Sequence, residues 1–241
     1  YLLTPYARAL AIKFGAVATV RDRDVHTEVT PRWGGVAIWL GIMMTILISS
    51  QLNLLSKAFQ QDEQIKGICI AATIICLLGV LDDKWGIDAI TKLAGQTLAA
   101  AVLVNFGVQL LWIPLNGVTM LPTSLGQLIT ILIIVVTINA VNFIDGLDGL
   151  ASGIVSIAAG SFFAFAYLLS VVYNFDRAGA PSLITAIMMG ACLGFLPHNF
   201  YPARIFMGDS GSMLLGLLLG VAAITLTGQI DANAIASQNF A

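Results

Sequence analysis

Asn139-Ala-Val-Asn142-Phe-Ile-Asp145-Gly146-Leu-Asp148-Gly149 is the stretch around which the chain is organised. Leu93 to Ile144 contains no charged residue, and neither does Gly149 to Phe175, so Asp145 and Asp148 stand alone between two long apolar runs. Ionised groups in such surroundings are costly and mark functional positions by default. Gly146, Gly149 and Gly153 free the backbone to approach a ligand or a neighbouring helix.

Working outward, the 241 residues are 58% hydrophobic and only 10% charged, against roughly 25% charged in a soluble domain. The chain therefore reads as an all-α, polytopic membrane protein. A net charge of -2 gives no reason to expect a nucleic-acid partner. Cys69, Cys76 and Cys192 all sit in apolar segments, where they pack and do not ligate or pair. With no repeat, linker or low-complexity run, residues 1–241 are expected to form a single integral-membrane domain. The start at Tyr1 suggests a piece of a longer protein.

Residues 1–32 mix Arg8, Lys13, Arg21, Arg23 and Arg32 with Asp22, Asp24 and Glu28, and predict an interfacial helix followed by a loop. Seven spanning segments are then expected: Trp33 to Ser50, Ile65 to Leu81, Leu93 to Leu111, Ser124 to Val141, Leu150 to Val172, Ser182 to Leu196 and Ser210 to Gly228. Crossing the hydrocarbon takes about 20 residues. Gly67 to Leu81, with fifteen uncharged residues, is short for that task, although Lys66 can snorkel and extend it. Asn116-Gly117 between apolar runs predicts a small extracytoplasmic hairpin. Gly216 and Gly220 have the spacing of a close-packed helix pair with no partner visible in the sequence.

Alternating directions put the loops before the first segment and after the second, fourth and sixth on one face. That face collects eight of the eleven Lys and Arg residues, so the positive-inside rule turns it to the cytoplasm. It also collects Asp82, Asp83, Asp145, Asp148 and Asp209. Five carboxylates cannot all stay ionised side by side without a raised pKa or a bound cation. Oxygen ligands without a His or Cys cluster favour Mg²⁺, with Mn²⁺ as the substitute, over zinc. Lys84, Lys92 and Arg204 supply the charge a phosphorylated substrate needs.

Each element also has a plain structural reading. Asp82-Asp83 can end a helix, Asp148 and Asp209 can cap the helices that follow, and Asp88 with Lys92 is an i,i+4 pair. His26 and His198 read as interfacial loop residues, and Trp33, Trp39, Trp85 and Trp112 as belt residues. Clustering on a single face favours the chemical reading.

Four motifs in order resemble the polyprenyl-phosphate N-acetylhexosamine-1-phosphate transferases: Thr30-Pro-Arg-Trp-Gly-Gly35, Leu81-Asp-Asp83 with Lys92, Asn139 to Leu150, and Pro202-Ala-Arg-Ile-Phe-Met-Gly-Asp-Ser-Gly211. The resemblance implies transfer of an N-acetylhexosamine 1-phosphate, GlcNAc-1-phosphate foremost, from a UDP-sugar to undecaprenyl phosphate. UMP would be released at a Mg²⁺ site facing the cytoplasm of a bacterial cell membrane, and the lipid-linked sugar would feed a cell-envelope polysaccharide. It further implies that Asp209 and Asn142 bind the metal and Lys92 holds substrate phosphates. By the same resemblance Asp82 and Asp83 match the essential acidic pair, with Asp82 expected to take the lipid phosphate's proton and Asp83 to support it or the metal. The resemblance also matches Asp145, Asp148, Asn199 and Phe206 to positions lining the nucleotide pocket, where Phe206 is expected to stack on uracil, and Gly146 is expected in the same substrate-binding group.

The family's later cytoplasmic loop is absent before Ala241, which predicts truncation at both ends and leaves independent activity open. The sister phospho-N-acetylmuramoyl-pentapeptide transferases are the nearest alternative; Glu28-Val-Thr-Pro-Arg-Trp-Gly-Gly35 favours the simpler donor. A cation-coupled transporter is a remote alternative, since it predicts midplane acids and a two-half repeat. A non-catalytic scaffold and a homodimer are left open by the sequence.

Overall fold

The computed structural model describes residues 1–17, 30–59, 62–113, 119–172 and 179–228. Arg21, Asp22, Arg23, Asp24, His26, Glu28, the Asn116-Gly117 turn and Arg177 lie outside the described residues. The elements are helices α1 (Thr4–Phe14), α2 (Gly34–Ser50), α3 (Asp62–Trp85), α4 (Ala89–Asn105), α5 (Thr123–Ile144), α6 (Leu150–Tyr167), α7 (Gly179–Asn199) and α8 (Gly208–Gly228). A 3₁₀ turn over Asn53–Phe59 follows α2, and a π turn over Leu168–Val172 extends α6. Strands β1 (Trp112–Ile113) and β2 (Thr119–Met120) pair antiparallel between α4 and α5, forming the expected hairpin.

Five helices are long and apolar enough to cross a membrane, and α2 and α4 are shorter apolar helices. This is a multi-pass helical membrane protein. α1 leaves Tyr6, Leu10 and Ile12 exposed, as an interfacial helix does, and ends on Gly15 at φ 71°. α3 is not short: it runs for 24 residues, because the helix continues through the charged residues at both ends. α4 stops at Asn105, short of the expected Leu111, because Gly107 turns the chain at φ 85°.

α8 is the most buried of the long helices. It packs against α2, α3, α5, α6 and α7, so its apolar circumference is covered by protein. Its approach to α5 is through Gly216 and Gly220, which supplies the partner their spacing lacked. A Cβ at Gly216 would stand 2.6 Å from Ile138 Cα, and one at Gly220 would stand 2.5 Å from Thr137 Oγ1. At the other end, Gly35 of α2 and Gly79 of α3 rest on the backbone of Ser210, leaving no room for side chains there. Small residues thus let α2, α3 and α5 each meet α8 at van der Waals distance, where association inside a membrane gains most. Trp39 is not simply a belt residue, since its indole N–H donates to Thr73 Oγ1 between α2 and α3 at 3.3 Å.

Candidate active site

The polar ends of α3, α4, α5 and α8 meet around the start of α8. Asp82 and Asp83 occupy the last turn of α3. Asp82 Oδ1 accepts from the Ile87 N–H at 2.7 Å, fixing the short connection into α4, and its Oδ2 lies 2.6 Å from Lys92 Nζ. Asp88 caps α4, accepting from the N–H groups of Ile90 and Thr91 and from the Thr91 hydroxyl. Asp88 and Lys92 are therefore not the expected i,i+4 pair. With Asp88 occupied at the cap, Lys92 reaches Asp82 and Asp209 Oδ2, the latter at 3.1 Å.

Asp209 Oδ1 accepts from Asn142 Nδ2 on α5, and the same amide donates to Ser212 Oγ at 2.8 Å. Asp83 plays a different part. It is buried, and its two oxygens accept from the backbone N–H groups of Asp209 at 2.9 Å and Ser210 at 3.2 Å. A carboxylate borrowed from α3 thus caps α8, satisfying orphan N–H groups and matching the positive end of the helix dipole. Asp209 turns its carboxylate to Asn142 and Lys92 and not to its own helix, and α6 starts at Leu150 behind Gly149 at φ 71°.

Gly208 makes this junction possible. It has φ 70°, and a Cβ on it would meet the Arg32 carbonyl and stand 2.6 Å from Asp83 Oδ2. Gly208→Ala should therefore destabilise the protein by about 2–4 kcal/mol, combining left-handed strain with a clash against backbone. Thermal unfolding in detergent would read it; an unchanged midpoint would contradict the geometry.

The remaining residues of the expected site form an adjoining layer around the loop that enters α8. Asp148 Oδ2 accepts from the Ala203 N–H at 2.9 Å. Asn199 is buried, donating to the Ile205 carbonyl at 3.1 Å and accepting from Ser152 Oγ at 3.0 Å. The half-buried Phe206 is anchored through its backbone to Pro31 O and Gly34 N. The Thr30 to Gly35 motif thus joins the Phe206 loop. Gly146 is exposed, with open space where a Cβ would stand, so no steric requirement for glycine operates there. His198, expected as a loop residue, lies in the last turn of α7 against the Tyr1 ring at 4.7 Å.

Asp145, just past α5, lies within electrostatic reach of the central group. Burial, then repulsion from Asp209 and Asp83, raises it to about 7 against the pull of Arg32. The folded protein holds this proton up to about pH 7, whereas an unfolded chain releases it near the ordinary aspartate value of 3.8. Stability without metal should therefore fall as pH rises through that window. Asp145→Asn should flatten the fall, read as unfolding midpoints from pH 4 to pH 8 in EDTA; equal slopes in both proteins would refute it.

Sequence reasoning assigned no part to Gln96, Ser152, Gly208 or Ser212. Gln96 was the most findable, a side-chain amide four residues after Lys92 inside an apolar helix. Among the described residues no three His, Cys, Asp or Glu side chains form a ready-made metal cage. The central donors are the carboxylates of Asp82 and Asp209 and the amide of Asn142, hard oxygen chemistry that suits Mg²⁺. That ion commonly takes one or two carboxylates and completes its shell with water and substrate phosphate.

Apolar helices long enough to cross a membrane, with acids and one lysine gathered where their ends meet, define a multi-pass membrane protein with a charged candidate site at one helix junction. The chain belongs to glycosyl transferase family 4, which matches residues 65–227. It is 46% identical over 99% of its length to a decaprenyl-phosphate N-acetylglucosaminephosphotransferase of Mycolicibacterium smegmatis, covering 60% of that protein. It is 34% identical over 92% of its length to a probable undecaprenyl-phosphate N-acetylglucosaminyl 1-phosphate transferase of Bacillus subtilis, covering 59%. A phospho-N-acetylmuramoyl-pentapeptide-transferase of Moorella thermoacetica is 33% identical over 92% of the chain, 71% of its own length. The chain thus spans about 60% of the length of the first two relatives.

Proposed function

We propose that this chain is the catalytic membrane domain of an enzyme that transfers N-acetylglucosamine 1-phosphate from a UDP-sugar to a polyprenyl phosphate. An oxygen of the lipid phosphate attacks the sugar-bearing phosphorus, the phosphoanhydride bond breaks, and UMP leaves. The product is a lipid-linked pyrophosphate sugar for cell-envelope polysaccharide. The polar face lies in the cytoplasm and the helices in a bacterial plasma membrane, which the excess of Lys and Arg on that face supports.

The observation that carries the reading is the bridge from Lys92 to both Asp82 and Asp209, with Asn142 on the other oxygen of Asp209. A cation held between carboxylates is already oriented to receive phosphate oxygens. Asp82 sits beside Lys92 and takes any proton the lipid phosphate carries. Asp209 and Asn142 would hold Mg²⁺, or Mn²⁺ in its place, which supplies charge neutralisation to the pyrophosphate. A phosphate nucleophile needs no strong base, so positioning and electrostatics do most of the catalysis. Asp145, Asp148, Asn199, Phe206 and Gly146 form the nucleotide side, Asp148 and Asn199 acting by holding the loop that carries Phe206.

UDP-N-acetylglucosamine is favoured over the muramoyl-pentapeptide donor because a relative named for the former matches at 46% identity over 99% of the chain, whereas relatives named for the latter match at 32–36% over 84–92%. Relatives name both decaprenyl and undecaprenyl phosphate, so the assay supplies each. Labelled UDP-N-acetylglucosamine should yield butanol-extractable labelled lipid only with Mg²⁺ or Mn²⁺. Label entering lipid only from the muramoyl-pentapeptide donor would replace this reading with the sister activity.

A further inference from the structure

One helical turn beneath the Lys92, Asn142 and Asp209 cluster lies a second set of polar contacts. Gln96 is four residues after Lys92 on α4, Asn139 three before Asn142 on α5, and Met213 four after Asp209 on α8. Residues so spaced stack on one helix face. Asn139 Nδ2 donates to Gln96 Oε1 at 2.7 Å, and Gln96 Nε2 lies 3.4 Å from both Asn139 Oδ1 and Met213 Sδ. Gln96 is 1% exposed. Asn139 lies on the exposed side of α5 and also bonds its own helix at Val135 O. The three helices that deliver the central residues are thus tied together one turn below them by a reciprocal amide pair and a thioether.

We infer that Gln96 and Asn139 are positioning residues that set the spacing of α4 and α5, so that Lys92 and Asn142 reach Asp209 together. Nothing in the mechanism otherwise uses these amides. A buried amide in an apolar helix is costly unless its bonds are made, and here they are made across helices to the neighbours of the reacting groups. The same spacing could have been held by leucines, but apolar packing tolerates sliding, whereas a two-way amide pair fixes register. Loss of the partners that orient a metal ligand commonly costs 10- to 100-fold in metal affinity or rate.

The inference rests on the proposed transfer reaction, and its test separates the two. Gln96→Leu and Asn139→Ala should each weaken Mn²⁺ binding, followed by electron paramagnetic resonance on the detergent-solubilised protein, by roughly tenfold or more. In the lipid-labelling assay kcat should fall by a similar factor while KM for the UDP-sugar stays within about twofold. The double variant should be no worse than the poorer single, because the pair acts as one unit. The exchanged pair Gln96→Asn with Asn139→Gln should recover much of the loss. Asn139 lies on the outer side of α5, so its variant is expected to fold even if Gln96→Leu does not. Mn²⁺ affinity and kcat unchanged in a folded Asn139→Ala protein, with only thermal stability lowered, would overturn the inference. Wild-type protein that binds Mn²⁺ tightly, loses it on these substitutions and yet labels no lipid would sink the proposed reaction while leaving the clasp standing.

Discussion

Asp209→Asn should abolish Mg²⁺-dependent transfer while leaving membrane insertion and folding intact. Asp209 receives Asn142 on one oxygen and Lys92 on the other, so it joins the groups delivered by α4, α5 and α8. An asparagine keeps the shape but removes the charge, and it sets an NH₂ against either Lys92 or the Asn142 amide. A loss of about 4 kcal/mol of charge stabilisation corresponds to ~10³-fold in rate. The controls are expression, detergent extraction and unfolding in EDTA, all expected near wild type. Turnover like that of wild type would refute the metal role.

Asp83→Asn has the next largest expected effect, for a different reason. Asp83 accepts two backbone N–H groups at the start of α8, and asparagine offers one acceptor oxygen and one NH₂ group. One N–H is left facing a donor, α8 loses its cap, and Asp209 shifts with it. Stability should drop by about 1–2 kcal/mol and kcat by ~10²-fold, the usual consequence of a displacement near 1 Å. Thermal unfolding and turnover measured on one preparation decide the matter. A kcat loss with an unchanged unfolding midpoint would mean that Asp83 reacts directly and does not act by positioning Asp209.

Much of this architecture was readable from apolar runs, because charges are costly in a bilayer and their spacing therefore records where helices cross. Same-sided clustering of Asp82, Lys92, Asn142 and Asp209 followed from alternating direction alone, and the structure brings these four together. Boundaries were less legible. Counting uncharged residues made α3 look short, although helices continue into the interface through residues such as Asp82 to Trp85. The opposite error occurred at α4, where an apolar run continues past Asn105 but Gly107 has already turned the chain.

Side-chain roles were least legible of all, since they depend on which helices become neighbours. The pairing of Asp88 with Lys92 was reasonable from spacing, yet Asp88 caps α4 and Lys92 looks across to α3 and α8. Nothing local to Asp83 announces that it caps a helix beginning 125 residues later. Gly216 and Gly220 signalled close packing, but only the fold names α5 as their partner. The acids sit at helix ends around one junction, which speaks for the phosphotransferase reading over a transporter with charges at the midplane.

The most direct test follows the β-phosphorus of the donor. UDP-N-acetylglucosamine carrying ³²P only in its β-phosphate, incubated with the protein, polyprenyl phosphate and Mg²⁺, should pass that label to the lipid in step with the sugar, releasing unlabelled UMP. Labelled UDP in solution, with unlabelled sugar on the lipid, would show glycosyl transfer instead and contradict phosphotransfer at the Asp82, Lys92 and Asp209 centre.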